Sequence, residues 1–454
     1  MSYDTIIEAV IFHKNQLTPA CLGIKDGKIA EIKKVIEGYE RYNFGNKILL
    51  PAAIDVHVHF REPGFEWKED FETGSLAALH GGVSTVFDMP NTNPFTNTVE
   101  SFLLKKRIAE KRSFVDFGLY TTPTSLEELA RLLQEGSAFK FFLAESTSLT
   151  LARESKMPAP DLKTIYDMLK LISDKSVVAF HAEDGKIIEK RKEEYKKKKL
   201  NMPPMERHYY ERPPEAELSA LNWLKKIYKI MVGEGYKPRF HICHLSTEAG
   251  LEALSQEKKI YTPPFLSMET APHYIFLDKN HNSDLGPFGK VSPPLRRDKD
   301  NAALWRGVIE NKIDIVASDH APHLPEEKES TAPPGLPGCE TMVPLFLKEI
   351  KDDHLTLKTF TSIFSKRPAQ IFGLNKGEIA VGRDADFMIV DFHDVKKVKE
   401  EELFSKCGWS PYQHKEVIFP YATYVRGRLM MKDGAFFCEK GTARFQKVGI
   451  TQNQ

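Results

Sequence analysis

The stretch APDLKTIYDMLKLISDKSVVAFHAED (159–184) sets a helical pattern against a short apolar run that stops at a histidine. Its first part reads as a helix and its second as a buried strand bounded by polar residues. The same arrangement recurs on both sides. SLEELARLLQEG (125–136) reads as another helix, while RFHICHLS (239–246) and DIVASDHAP (314–322) are β-rich runs ending in polar side chains. Strands alternating with helices imply parallel β/α units. The expected class is therefore α/β, with a (β/α)8 TIM-like barrel over residues 51–375.

The two ends of the chain have a different texture. TIIEAVIF, ACLGI and KIAEIKKVI near the start are short strands, with an aspartate–glycine turn at Asp26-Gly27. Near the end come GEIAVG, DADFMIVDF and EVIFPYATYVRGRLMMKDGAFF, with a second such turn at Asp433-Gly434. Such turns close hairpins. Residues 1–50 and 376–454 are thus expected to build one small β-sandwich domain jointly.

Composition narrows the function classes. Of 454 residues, 41% are hydrophobic and 28% charged, enough for a sizeable core. Lys+Arg at 64 against Asp+Glu at 63 leaves no net field for nucleic acid or an anionic membrane. The blocks EKRKEEYKKKK (189–199) and KKVKEEE (396–402) mix signs and lack interleaved aromatics, so they read as solvated helix faces. Five cysteines without a CxxC pair point to reduced thiols. The N-terminus carries no secretory pattern, and no apolar run reaches the roughly 20 residues of a membrane helix. A cytoplasmic enzyme with a small-molecule substrate is the expectation.

In β/α barrels the chemistry sits where strands end, and ligand-type residues stand there. In IDVHVHFR (54–61), alternation on a strand would put Asp55, His57, His59 and Arg61 toward the mouth and Val56, Val58 and Phe60 behind. Two imidazoles two residues apart can converge on one cation, although a chance pair on an exposed strand has the same spelling. His181 ends SVVAF, His244 ends RFHIC and Asp319 ends IDIVAS. Lys140 opens KFFLA; by residue type it is a surface lysine or, once neutral and carbamylated, an anionic bridge between two metals. Asn91 is either a turn residue or a substrate contact. Cys243, next to His244, is expected to face away into the core. His273 reads as packing or as support for a ligand.

Two motifs carry a resemblance. PAAIDVHVHFREPGFEWKEDFETGSLAALHGGVSTVFDMPNTNP (51–94) and SDHAPH (318–323) are similar to the two signatures of dihydroorotases, in the cyclic-amidase branch of the amidohydrolase superfamily. KGEIAVGRDADFMIVD (376–391) resembles that family's return to its sandwich domain. The resemblance implies two divalent metal ions, expected to be zinc. His57, His59 and Asp319 would hold one, His181 and His244 the other, and carbamylated Lys140, made with carbon dioxide, would bridge them. A hydroxide between the metals would attack the ring amide, with Asp319 as the catalytic acid–base group. Arg61, Asn91 and His323 would contact the substrate carboxylate, and Pro334 and Gly335 the ring. The implied reaction is reversible closure of N-carbamoyl-L-aspartate to L-dihydroorotate in pyrimidine biosynthesis. A homodimer and association with other pyrimidine-pathway enzymes are further expectations.

The match departs in places. KVSPPLRRDKD (290–300) has Ser292 where many dihydroorotases carry asparagine, and FKFFLA and ERPPEAEL lean toward allantoinases and hydantoinases. Those enzymes open cyclic ureides, which lack the ring carboxylate and so have less use for Arg61 or His323. A non-catalytic scaffold is the remaining alternative; it would have no reason to keep every ligand.

Overall fold

The computed structural model describes residues 3–38, 40–144, 162–255, 261–280 and 283–449. Strands β1 (Thr5–His13), β2 (Gln16–Lys25), β3 (Lys28–Lys33) and β4 (Arg41–Pro51) come first. Asp26 and Gly27 take φ of 52° and 75°, which lets Lys25 pair directly with Lys28. That is the mirror-image turn whose twist suits a hairpin.

The central part is the barrel. Strands β5 (Ala53–Val58), β6 (Val83–Asp88), β7 (Asp116–Thr121), β8 (Ala138–Phe142), β9 (Val178–His181), β10 (Arg239–Ile242), β11 (Phe265–Thr270) and β12 (Ile315–Val316) pair in sequence order, all parallel. The circle closes just past β12, where Val58 bridges His320 and His59 N donates to His320 O at 2.7 Å. Helices pack outside by the stripe their sequences carry. In the helix Leu162–Ile172 the buried residues are Ile165, Met168, Leu169 and Ile172, one face at helical spacing. Residues 159–161 of that stretch lie outside the described residues. The helix Leu126–Glu135 starts at Ser125, whose side chain accepts from Glu128 N, and stops at Gly136 with φ 80°.

Inside the barrel, alternate residues stack in layers. Ala138, Ala179 and Ala317 lie in one interior cluster with Ile54, Val56, Tyr120 and Ile315. Two residues further along their strands come Lys140, His181 and Asp319, so the period of two delivers ligand-type groups to the top layer. On β5 the expected alternation is broken. A register shift lies between Asp55 and Val58; Val56 stays with the interior cluster, whereas Val58 and Phe60 join the layer shared with the helices. Asp55 does not reach the mouth. Its Oδ1 accepts from Ser318 N (3.0 Å) and His57 N (3.3 Å), tying β5 to the end of β12.

The chain then returns to the first sheet. Strands β13 (Phe387–Val390), β16 (Ala422–Val425), β17 (Arg428–Lys432) and β18 (Ala435–Phe436) join it in the order β18-β17-β16-β13-β4-β1-β2-β3. The short β14 (Lys396–Lys397) and β15 (Glu416–Val417) form a ribbon of their own. Asp433-Gly434 turns as Asp26-Gly27 does, with φ of 50° and 75°. Strands from both ends enclose one apolar layer that includes Ile7, Leu22, Leu49, Phe387 and Tyr424. Buried Lys376 fastens this unit to the barrel, bonding Asp386 at 2.5 Å and Asp116 of β7 at 2.9 Å. Among the described residues, no helix is long and apolar enough to cross a membrane.

Candidate active site

Three residues that shape the mouth have left-handed backbone: Arg61 (φ 65°), His244 (φ 37°) and Asp319 (φ 47°). Such conformations are costly for side chains other than glycine and cluster at functional sites. They bend each strand end so that its side chain turns over the barrel axis.

His57 Nε2 and His59 Nε2 both approach Asp319 Oδ1, at 3.2 and 3.3 Å. These three buried groups could hold one cation. Beside them His181 Nδ1 and His244 Nε2 lie 3.0 Å apart. Lys140, also buried, lies against the same cleft wall as the four histidines. The sequence-predicted ligands His57, His59, Lys140, His181, His244 and Asp319 therefore all line one cleft.

The outer nitrogens explain the aim of the inner ones. His57 Nδ1 is 2.5 Å from Glu269 Oε1, His59 Nδ1 is 2.7 Å from Asn91 Oδ1, and His181 Nε2 is 2.8 Å from Glu183 Oε2. Each acceptor takes the N–H of the outer nitrogen, so that in a neutral ring the inner lone pair faces the cleft, as metal-binding histidines require. Glu269 also bonds His241 at 3.0 Å, and Glu183 is paired with Arg212. His244 Nδ1 is buried without a partner among the described residues. Imidazole and carboxylate donors at these separations fit a pair of first-row divalent ions.

Electrostatics agree with a site built for cations. Burial pushes the Asp319 carboxyl up, but His57, His59 and His244 outweigh it and hold it well below the ordinary value. Burial, with His181 and Lys140, lowers His244 well below its usual range. His59 is pushed down to about 3, chiefly by burial. His57 is the exception: burial opposes its charge, yet Asp319 and Glu269 raise it to about 10.

The other expected contacts divide into those that face the cleft and those that stand behind it. Arg61 lines the cleft, is buried, and donates through Nε to Pro322 O at 3.2 Å. Pro334 and Gly335 line it as well, and so does Ser292, whose Oγ has no partner among the described residues. Asn91 uses Oδ1 on His59 and keeps a buried, unpartnered Nδ2. His323 stands behind Arg61, with Nε2 3.2 Å from Arg61 Nη2 and Nδ1 3.2 Å from Lys68 Nζ. Burial and those two cations hold it well below its usual pKa, so it is neutral. His273 is buried against Tyr274, its ring centroid 4.2 Å away.

Cys243 does not face away from the site. Its Sγ lies 2.9 Å from Lys140 Nζ, inside the barrel. Alternation would place either Cys243 or His244 inward, and the left-handed turn at His244 brings in both. The sequence reading also missed Glu269 and Glu183. The available signal was position: Glu269 lies near the end of FLSMET, and Glu183 follows His181 by two residues.

Comparison with known proteins agrees with this geometry. Residues 48–420 match the amidohydrolase family. A Methanosarcina acetivorans protein named dihydroorotase is 37% identical over 453 residues, covering 96% of this chain and 93% of that one. A Pyrococcus furiosus protein of the same name is 32% identical, covering 98% and 97%. Among solved structures, the L-hydantoinase (dihydropyrimidinase) of Arthrobacter aurescens superposes with a TM-score of 0.89 at 28% identity, covering 98% of this chain and 99% of that one.

Proposed function

The chain belongs to the amidohydrolase family, and we propose that it works as a dihydroorotase, closing N-carbamoyl-L-aspartate to L-dihydroorotate and reopening it. The observation that carries this choice is Arg61. Its guanidinium is buried at the cleft wall, and its hydrogen bonds among the described residues go to Pro322 O and His323, not to a carboxylate. A substrate with a ring carboxylate completes such a site with charge-assisted bonds. The relatives named dihydroorotase support the same reading.

His57, His59 and Asp319 would hold one divalent ion and His181 and His244 a second, both taken to be zinc, with carbamylated Lys140 between them. Such a pair supplies Lewis acidity and lowers the pKa of water. The remaining work belongs to the chain. Asp319, held ionised by its histidine neighbours, takes a proton from the water that attacks the ring carbonyl. It then gives that proton to the departing ring nitrogen, and ring closure retraces the path. Arg61 and Asn91 Nδ2 grip the substrate carboxylate. Neutral His323 accepts from Arg61 and sets the angle of the guanidinium. Ser292, Pro334 and Gly335 border the ring. Five free cysteines support a cytoplasmic setting.

The likeness to L-hydantoinase and the presence of Ser292 favour a second reading, hydrolysis of uncharged cyclic ureides. That reading gives Arg61, at the cleft wall, no substrate carboxylate to bind. Side-by-side steady-state rates on dihydroorotate, carbamoyl aspartate, allantoin and hydantoin decide between them. Strong preference for the first two is expected; equal turnover of allantoin or hydantoin would overturn the assignment.

A further inference from the structure

Two loops roof the cleft, and one lysine ties them together. Residues 290–292 bring Val291 and Ser292 to the cleft wall, and residues 333–336 bring Pro334 and Gly335. Lys328 stands on the short helix Pro325–Ser330 and is fully buried. Its ammonium donates to Lys290 O (3.1 Å), Pro333 O (2.9 Å) and Gly335 O (3.1 Å). An ammonium has three donors, and all three go to backbone carbonyls of the two loops. Gly335 N adds a direct bond to Lys290 O at 2.9 Å.

The second loop is continuous with the chemistry. Leu336 O accepts from Ala321 N at 2.8 Å, and Leu336 bridges His320, the neighbour of Asp319. Gly335 has little latitude: its φ is 147°, and an added Cβ would lie 2.3 Å from Ala321 O. A shift at Lys328 would therefore move the cleft wall and not be absorbed by slack in the loop.

Keeping a charge here is unfavourable. Burial, with Lys290 and Arg61 nearby, pushes the Lys328 pKa down to about 7. A methionine would fill most of that space without that cost; what the lysine adds is its donors to the two loops.

We infer that Lys328 is a positioning residue for catalysis, a clip that sets the spacing of the two loops bordering the substrate ring. The identity of the ring rests on the dihydroorotase reading above; the clip itself does not. Lys328→Met keeps an unbranched stem one atom shorter and removes every donor. With dihydroorotate, the expected result is a KM raised about tenfold, kcat within about threefold of native, and unchanged metal content. Amide hydrogen exchange should rise in residues 290–292 and 333–336 and stay native in the barrel strands. If Lys328→Met does not fold, Lys328→Gln, which keeps part of the donor set, should show the same pattern with a smaller rise. Native KM and native loop exchange in a folded variant would overturn the clip. So would loss of kcat in step with loss of metal, which marks a general structural role. A native enzyme inactive on dihydroorotate would instead sink the substrate reading, leaving loop exchange to judge the clip.

Discussion

His181 Nδ1 and His244 Nε2 point at each other across 3.0 Å, both buried. Burial lowers the pKa of both rings, so neither is charged in the ordinary range. Two neutral imidazoles this close could hold one cation between them. His244→Asn should therefore reduce bound metal from two ions per chain to one and remove most activity while leaving the fold intact. Elemental analysis beside circular dichroism checks this, and full metal retention would remove His244 from the ligand set.

The carboxylate behind His57 makes a separate test. Glu269 touches His57 at 2.5 Å and is held well below the usual carboxylate range: burial opposes its charge, but His57 and His241 prevail. Glu269→Gln keeps the shape and loses the anion that orients the ring. Metal affinity should fall roughly 10–100-fold, as for other partners of metal-bound histidines. A chelator competition titration measures it, and native affinity would mean that the contact only packs.

How far the sequence could be read follows from which contacts are local. Strand-end logic singled out His181 and Asp319 because each ends an apolar run, which needs no knowledge of the partner strand. Lys140 opens its run, reads by residue type as a surface lysine, and only the family resemblance implied a role for it. Strand logic failed at Cys243, since one left-handed residue at His244 reverses the alternation. It failed again at Asp55 and Val56, where a register shift interrupts β5. Glu269 was out of reach for another reason: 212 residues separate it from His57, and only the closed barrel brings them together. The contact of His323 with Arg61 at 3.2 Å was out of reach in the same way, since 262 residues separate the two.

Substrate choice turns on charge. Arg61→Met removes the buried guanidinium from the cleft wall and should cost about 1.5–3 kcal/mol of transition-state stabilisation for dihydroorotate. That is roughly a ten- to hundredfold drop in kcat/KM. Any trace rate on an uncharged hydantoin should change little. An equal drop on both substrates would show that Arg61 supports the site as a whole and does not read the carboxylate.

The direction of reaction should follow pH. Opening the ring creates a carboxylic acid that ionises and releases a proton, so alkaline conditions draw the equilibrium toward carbamoyl aspartate. Asp319 is held ionised well below neutrality and sets no limit there. Hydrolysis should gain and cyclisation should fade as pH rises between about 6 and 9, measured by initial rates in both directions. Parallel profiles would contradict it.

Lys140 carries the boldest expectation. Its Nζ is buried inside the barrel, beside Cys243 Sγ at 2.9 Å and on the cleft wall with the four histidines. A lysine in that position repels cations unless its charge is removed, and a carbamate replaces the positive charge with an anionic two-oxygen group. If that is its state, Lys140→Ala should lose most activity and at least one metal, because two cations would then face each other with no anion between them. Acetate or propionate at high concentration should restore part of the rate by occupying the gap. A lysine that serves packing alone predicts neither effect, since short carboxylates would have no place to bind. Metal content and rate of Lys140→Ala, with and without the added acids, separate the two. Full metal retention with native activity would rule out the bridge.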